Sequence, residues 1–247
     1  MIRQVIGVCL LTVVSTLTQA AEVSVAVAAN FAAPMQKIAL LFEQSSGHKA
    51  MLSFGSTGKL YAQIRNGAPF QVLLAADDKM PARLEAEGQS VVGMRFTYAV
   101  GKLALWSRQN GLVDAQGAVL RSGRFARLAL ADPKLAPYGA AAVETLNTMG
   151  LLADLTPKFV YGESIAQAYQ FVSTGNAELG FVALSQVFSD GKLVSGSAWR
   201  VPTGMHTPIR QDAVLLKAGE NQVAARALMA FLRSEAALAV IRSFGYD

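Results

Sequence analysis

Short apolar runs alternate with helical patterns along this chain, and two early runs end in polar loops. Residues 23–28 are largely apolar and lead to Asn30, whereas residues 51–54 lead to Ser56 and Thr57. A helix start leaves up to four backbone N–H groups without intrahelical acceptors and carries about half a unit of positive charge. Two such starts after neighbouring parallel strands direct their N–H groups at one crevice, so the pattern predicts an anion-binding site.

The same alternation continues to the end of the chain and is typical of βαβ units. The predicted strands are 22–28, 50–54, 71–76, 96–106, 127–131, 158–162, 178–184 and 212–217. The first predicted helix ends at Gly47, a residue type that adopts the left-handed conformation of helix ends. This helix contains Pro34, which fits best at the first helical position. Asn30 would then lie in the preceding loop with a free side-chain amide.

Two segments are too long and too irregular for single strands. Residues 96–106 are interrupted by Gly101, and residues 201–212 contain two prolines and a glycine. We interpret both as crossings between two lobes. Lobe I then consists of residues 22–101 and 201–247, and lobe II is the inserted segment 102–200. The predicted fold class is α/β, with a mixed, mostly parallel sheet flanked by helices in each lobe.

The inserted lobe repeats the arrangement of strand, polar loop and helix. Tyr138 follows the strand 127–131, and Ser164 follows the strand 158–162. Ligand sites of two-lobed proteins lie between the lobes, so four helix starts would offer N–H groups, hydroxyls and an amide there. Such neutral donors suit a small, fully ionised oxyanion, because each hydrogen bond to a charged group contributes about 1.5–3 kcal/mol.

Three carboxylates also follow predicted strands, at Asp77, Asp78 and Asp132. Carboxylates repel an anion, so we do not expect them to bind the ligand. We interpret them as helix caps or as contacts that close the lobes.

Residues 1–20 are typical of an export signal. Arg3 precedes the apolar run 5–14, and residues 18–20 (Thr-Gln-Ala) form a cleavage motif with small residues at both ends. We therefore expect a cleaved signal peptide, a mature chain that begins near Ala21, and a periplasmic location.

The composition excludes several classes of function. The only cysteine, Cys9, lies in the predicted signal, so the mature chain would have no disulfide, thiol nucleophile or cysteine-bound metal. Hydrophobic residues make up 52% of the chain and charged residues 16%, which favours well-packed lobes over disorder. The net charge of +5 comes from singly scattered Lys and Arg residues, so we expect no nucleic-acid partner.

The loop 55–59 resembles two enzyme motifs without completing either. A phosphate-binding P-loop would need glycine in place of Ser53, and serine or threonine in place of Leu60. The loop also contains the Ser-x-x-Lys pattern of penicillin-recognising enzymes, but the chain has no Lys-Thr-Gly partner motif. A periplasmic hydrolase with Ser56 or Thr57 as nucleophile stays an alternative, although it lacks a suitably placed base. We expect a binding protein and no catalysis.

A set of short motifs resembles the periplasmic molybdate-binding proteins of ABC transporters. The motifs are Ala-Ala-Asn-Phe at 28–31, Phe-Gly-Ser-Thr-Gly-Lys-Leu at 54–60, Asn-Gly-Ala-Pro-Phe at 66–70, Ala-Ala-Asp at 75–77 and Phe-Gly-Tyr at 244–246. The resemblance covers essentially the whole mature chain. It implies a type II periplasmic binding protein, which captures molybdate or tungstate between its lobes and delivers it to a membrane permease. We expect a monomer with no cofactor other than this ligand.

The resemblance also implies which residues contact the oxyanion, with no direct ligand to the metal ion. These are Ala29, Asn30, Thr57 with Ser56 adjacent, Tyr138, and Ile165 through its backbone N–H. Many family members have a tyrosine where this chain has Ala183, and we hypothesise that Tyr138 supplies the missing hydroxyl. Sulfate or phosphate stays the alternative ligand, because charge alone does not separate one tetrahedral dianion from another and cavity size must do so.

Overall fold

The computed structural model describes residues 20–247, so nearly all of the predicted signal (residues 1–20) lies outside the described part of the chain. Within this part, no helix is long and apolar enough to cross a membrane. The strands are β1 (Glu22–Ala28), β2 (Lys49–Gly55), β3 (Val72–Leu74), β4 (Ser90–Gly101), β5 (Leu103–Ser107), β6 (Leu128–Ala131), β7 (Phe159–Gly162), β8 (Leu179–Ala183), β9 (Phe188–Ser189), β10 (Lys192–Leu193), β11 (Ser197–Arg200) and β12 (Ile209–Leu216).

The helices alternate with these strands over most of the chain. They are α1 (Ala32–Ser46), α2 (Thr57–Arg65), α3 (Lys79–Ala86), α4 (Val119–Ser122), α5 (Pro137–Thr148), α6 (Leu152–Leu155), α7 (Ile165–Ser173), α8 (Leu184–Val187), α9 (Val223–Phe231) and α10 (Glu235–Ser243). Short 3-10 turns occupy Ala29–Phe31, Thr156–Lys158, Thr203–Met205 and Lys217–Gly219.

Two five-stranded sheets organise residues 20–247. In the first, with the order β2-β1-β3-β12-β4, only β12 runs opposite to the other four strands. In the second, with the order β11-β5-β8-β6-β7, only β5 does so. We call the part built on the first sheet lobe I and the part built on the second sheet lobe II. The predicted fold class, two α/β lobes with mixed, mostly parallel sheets, is confirmed.

The chain crosses between the two sheets twice. It leaves the first sheet at Lys102, between β4 and β5, and returns through residues 201–208, between β11 and β12. Gly101 pairs with Ile209 where β4 and β12 adjoin, so the two crossings lie side by side. We call these two segments the hinge.

Helices cover the sheets through apolar contacts. In lobe I, α1, α9 and α10 contribute residues such as Met35, Leu228 and Ile241 to one buried cluster. On the other face, α2 and α3 contribute Leu60 and Leu84. In lobe II, α5 and α7 pack against the strands β6 and β8. Burial of each large apolar side chain stabilises the fold by about 1.5–3 kcal/mol, and so fixes the helix starts relative to the strand ends.

Parallel pairing brings the helix starts of each lobe together. Ala28 pairs with Gly55 at the ends of β1 and β2, and Ala131 pairs with Gly162 at the ends of β6 and β7. Neighbouring strands lie about 4.8 Å apart. The loops that follow each pair of strands are therefore neighbours, as the sequence pattern predicts.

The strand predictions differ from the structure mainly at element ends. The predicted strand 96–106 is divided at Lys102, and its first half begins at Ser90. The strands β9, β10 and β11 are absent from the prediction. The first two have only two residues each and β11 has four, and an alternating pattern needs about four to eight residues.

The first helix begins earlier than Pro34 suggests. The 3-10 turn Ala29–Phe31 precedes α1, and Pro34 lies at the third position of α1. A proline is tolerated there because the N–H groups of the first turn have no intrahelical acceptor. The expectation that Pro34 begins the helix is therefore wrong, and Asn30 lies in the 3-10 turn that precedes α1.

Gly139 lets α5 approach β6 closely, because a Cβ atom at this position would overlap the carbonyl oxygen of Ala131. We expect Gly139→Ala to lower the free energy of unfolding by about 1–3 kcal/mol, the usual cost of overpacking, as measured by urea unfolding. Gly204→Ala is the matched control, since a Cβ atom there would meet nothing within 4 Å. Equal stability of Gly139→Ala and the wild type would contradict the close approach.

Candidate functional site

The helix starts of the two lobes meet in the closed cleft between them. The backbone N–H of Gly58, in the first turn of α2, donates to the carbonyl oxygen of Leu135 in lobe II at 2.9 Å. Next to it, Lys59 Nζ lies 2.6 Å from Glu163 Oε2, just before α7. The helix α7 also contacts the turn Ala29–Phe31. The strand ends of both lobes therefore face the same space.

All five predicted ligand residues are buried around this space. Their exposed fractions are 8% for Ala29, 3% for Asn30, 1% for Thr57, 1% for Tyr138 and 3% for Ile165. Three come from the first turns of helices, and Ala29 and Asn30 from the 3-10 turn ahead of α1. The structure thus brings these residues to one region, where their polar groups are shielded from water.

The side-chain amide of Asn30 is not free. Its Nδ2 donates to Gln211 Oε1 at 2.8 Å and to the hydroxyl of Tyr246 at 3.0 Å. An asparagine amide has only two N–H groups, so both are used within the protein. The expectation of a free amide is wrong in this arrangement, and the backbone N–H groups of the turn are the donors that stay available to an anion.

The hydroxyls of Ser56 and Thr57 differ in their bonding. Thr57 Oγ1 accepts the backbone N–H of Ala76 at 2.9 Å, which leaves its own proton free to be donated. Ser56 precedes α2 in the capping position, yet its hydroxyl makes no capping bond. Among the described residues, Ser56 Oγ is buried without any hydrogen-bond partner. A buried hydroxyl without a partner costs about 1–3 kcal/mol, so this group is available to a ligand.

Tyr138 joins the site to the strand ends beside the hinge. Its hydroxyl lies 3.4 Å from Gln211 Nε2, and a Cβ atom at Gly101 would overlap it. Burial raises the pKa of Tyr138 well above its usual value, so the phenol stays protonated at neutral pH. Its proton can then be donated, as an oxyanion requires.

In lobe II, two residues at the start of α7 have different roles. Ser164 caps the helix, because its hydroxyl accepts the backbone N–H of Gln167 at 3.4 Å. Ile165, the next residue, lies in the first turn, where its backbone N–H has no intrahelical acceptor. Ser164 is therefore a structural cap, and Ile165 is the residue whose N–H suits an anion.

The nearby carboxylates are held by other groups. Asp77 Oδ1 accepts the backbone N–H of Met80 at 2.8 Å, and Asp132 Oδ1 accepts that of Lys134 at 2.9 Å. The prediction of a cap is confirmed for Asp77, which bonds to the first turn of α3, but not for Asp132, which bonds within the loop before α5. Asp78 precedes α3 directly, yet its side chain makes no capping bond. Desolvation raises the pKa of Asp77, which is half-buried at the cleft.

Two cavities flank the contact between the lobes. One, of about 350 Å³, is lined by Gly58, Asp77 and Leu135 among others. The other, of about 600 Å³, is lined by Ser56 and Glu163 among others. The lobes therefore touch along a narrow seam with space on either side of it, which gives a small solute a route to the helix starts.

Four buried polar residues near the site escape the sequence analysis. They are Tyr98, Ser185, Gln211 and Tyr246, which form hydrogen bonds with Asn30 or with each other. A weak signal existed only for Tyr246, which lies in the motif at 244–246, because Gln211 is flanked by the polar residues Arg210 and Asp212.

The structure offers no catalytic partner for the two candidate nucleophiles. The bonding of Ser56 and Thr57 involves no histidine, carboxylate or lysine within residues 20–247. The same part of the chain holds no group of three or more His, Cys, Asp or Glu side chains that could hold a metal ion.

Comparison with known proteins identifies the family. The family model described as "Bacterial extracellular solute-binding protein" matches residues 23–247. The chain belongs to this family. Its relatives include the molybdate-binding protein ModA of Azotobacter vinelandii, which is 60% identical over 92% of this chain and 90% of that protein. The molybdate-binding protein ModA of Rhodobacter capsulatus is 51% identical over 92% of this chain and 88% of that protein.

A solved structure supports the same relationship. The periplasmic molybdate-binding protein of Azotobacter vinelandii superposes with a TM-score of 0.89 and 40% sequence identity, covering 91% of this chain and 98% of that chain. This solute-binding protein therefore has the two-lobed fold of a periplasmic binding protein, and its relatives are binding proteins.

The unpartnered hydroxyl of Ser56 generates a test. We expect Ser56→Ala to leave the unliganded protein as stable as the wild type or up to about 1 kcal/mol more stable, because it removes a buried unsatisfied group. Its affinity for the bound oxyanion should fall about tenfold, as measured by calorimetry.

Ser164→Ala is the matched control for this test. It removes a hydroxyl that caps a helix, so it should lower the stability of the unliganded protein by about 1 kcal/mol. If Ser56→Ala destabilises the unliganded protein to the same extent, Ser56 is a cap and not a reserved donor.

Proposed function

We propose that this protein binds molybdate or tungstate between its two lobes and delivers the anion to the membrane permease of an ABC importer. The proposal rests on one observation: helix starts from both lobes meet at a buried, closed seam, where they offer uncharged N–H and O–H donors. Two relatives at 60% and 51% identity are named as molybdate-binding proteins, which supports this ligand over others of similar charge.

The donor set is sufficient in magnitude for such a ligand. We take about six hydrogen bonds, from backbone N–H groups and the hydroxyls of Ser56, Thr57 and Tyr138. At about 1.5–3 kcal/mol each, they amount to about 9–18 kcal/mol before costs. Micromolar binding needs about 8 kcal/mol net. The remainder offsets desolvation of the anion and the ordering of the lobes, so full positive charges at the site are not required.

Sulfate is the alternative ligand. It has the same shape and charge as molybdate but shorter bonds to oxygen, so discrimination rests on the size of the closed site. Phosphate fits less well, because a protonated oxyanion needs an acceptor, whereas the helix starts around the site offer N–H and O–H donors.

We further infer that the protein works in the periplasm as a monomer after removal of residues 1–20. Its role is capture and release of the anion without chemical change. The absence of a base beside Ser56 and Thr57 in the described structure supports this role over that of a hydrolase. We propose no cofactor beyond the transported anion.

Thermal unfolding with added oxyanions tests the ligand. A ligand present at 100 times its dissociation constant adds about 2.7 kcal/mol of stability, which raises the melting temperature of a chain of this size by about 5–10 °C. We expect this shift with molybdate and tungstate, and a much smaller shift with equal concentrations of sulfate or phosphate. A shift with sulfate alone would assign the protein to sulfate, and no shift with any oxyanion would refute the anion site.

Replacement of one hydroxyl tests whether Tyr138 compensates for the alanine at position 183. We expect Tyr138→Phe to weaken molybdate binding about tenfold, because the site loses one donor to a charged group. Tyr161→Phe is the control, since Tyr161 is half-exposed on the edge strand β7 and should bind as the wild type does. Unchanged affinity of Tyr138→Phe, measured by titration calorimetry, would rule out the compensation.

A further inference from the structure

The last five residues of the chain, 243–247, connect lobe I with the hinge and lobe II. We call them the tail segment. The carbonyl oxygen of Ser243 accepts the backbone N–H of Asp190 in lobe II at 3.0 Å. Asp247 exchanges two backbone hydrogen bonds with Val100, of 2.8 and 3.2 Å, and pairs with Lys102 at 2.7 Å. The tail segment is thus fastened to both lobes and to the first crossing between them.

Gly245 lets the tail segment pass close to lobe II. Its φ angle is +82°, a conformation that favours glycine. A Cβ atom there would lie 3.2 Å from Leu184 Cδ2. The following residue, Tyr246, is therefore carried to the seam between the lobes, where it is only 4% exposed.

The hydroxyl of Tyr246 closes a ring of hydrogen bonds across this seam. Asn30 Nδ2 donates to it at 3.0 Å, and its own proton faces two acceptors at 2.9 Å, Ser185 Oγ and the backbone carbonyl of Asn30. Ser185 Oγ in turn donates to the same carbonyl at 3.0 Å. With the Tyr246 proton directed at Ser185, each hydroxyl in the ring accepts one hydrogen bond and donates one. Asn30 belongs to lobe I and Ser185 to lobe II, so this ring exists only while the lobes are closed.

The ring also reaches the candidate ligand residue of lobe II. The second N–H of the Asn30 amide is donated to Gln211 Oε1 at 2.8 Å, and Gln211 Nε2 faces the Tyr138 hydroxyl at 3.4 Å. Phe31 packs edge-on against Tyr246, with ring centroids 5.5 Å apart. The turn that carries Ala29 and Asn30 is therefore held from two sides.

We propose that Tyr246 is a positioning residue for the anion site. Its hydroxyl holds the turn at Asn30 against Ser185 and so favours the closed arrangement in which both lobes contact the anion. This inference rests on the proposed function, because it assigns Tyr246 a role in the same site. Opening of the lobes breaks the bonds of Ser185 to Tyr246 and to Asn30, and these bonds therefore slow release of the anion.

The test uses the whole protein with Tyr246→Phe, Ser185→Ala and the double variant. Molybdate affinity is measured by calorimetry, and dissociation by stopped-flow fluorescence of Trp106 and Trp199, both in lobe II. We expect Tyr246→Phe to weaken affinity about tenfold, mainly through faster dissociation. The double variant should lose less than the product of the two single losses, because both substitutions break the same ring.

Tyr61→Phe is the matched control, since the Tyr61 hydroxyl bonds to Glu87 within lobe I and should not affect binding. A purely structural role of Tyr246 would lower the melting temperature of the unliganded protein without changing the dissociation rate. Wild-type dissociation from Tyr246→Phe, or independent effects of the two substitutions, would overturn the inference.

A second readout separates this inference from the choice of ligand. Dyes attached at Val92→Cys in lobe I and Val194→Cys in lobe II, in a Cys9→Ser background, report the distance between lobes by energy transfer. Both valines are well exposed. Without ligand, Tyr246→Phe should populate the open arrangement more than the wild type does. If no oxyanion binds the wild type, the proposed function fails while this measurement still decides the role of Tyr246.

Discussion

Backbone N–H groups at buried helix starts need acceptors, and this requirement organises the seam between the lobes. The protein satisfies some of these groups itself. The N–H of Gly58 donates to the carbonyl of Leu135, and Ser164 caps the start of α7. Other first-turn groups, such as the N–H of Ile165, have no acceptor within their helix. An anion between the lobes would supply the missing acceptors, which makes ligand binding and lobe closure parts of one event.

The charge pattern around the seam is consistent with this requirement. Several carboxylates near it have partners within the protein, as with Asp77 and Met80 or Asp212 and Arg95. The hydroxyls stay neutral, because burial raises the pKa of Tyr138 and Tyr98 well above the usual value and that of Tyr246 to about 12. A site of neutral donors binds an oxyanion without a strong field that would also attract chloride or other abundant anions, so size and geometry determine the choice.

The sequence predicts those features of the fold that depend on interactions between neighbouring residues. Alternation of apolar runs with helical patterns predicts β1, β2 and the helices after them, because periodicity depends on neighbouring residues. The helix starts at Thr57 and Ile165 follow from the same pattern, since a start is defined by the residues around it. Their meeting depends on how the two lobes pack together, because Thr57 follows a strand of the first sheet and Ile165 follows a strand of the second.

The bonding of Asn30 lay beyond local reasoning. Its amide partners, Gln211 and Tyr246, are 181 and 216 residues away in the chain, and nothing in the residues near Asn30 indicates them. The position of Pro34 suggested a loop at Asn30, whereas the structure has a 3-10 turn there and α1 begins two residues before Pro34. Pairings between distant segments are set by the packing of whole lobes, and a single sequence does not display them.

The arrangement of lobes explains why such distant residues meet at the site. Both crossings lie beside each other at Gly101 and Ile209. A rotation of the lobes about these crossings would displace the adjoining ends of β4 and β12 least. Gln211 lies on β12, and the tail segment pairs with β4 at Val100. Polar groups placed there contact the helix starts of both lobes, as Gln211 does with Asn30 and Tyr138. Residues far apart in the chain can therefore contact one another at the site when they lie beside the hinge, as Gln211 and Tyr246 do.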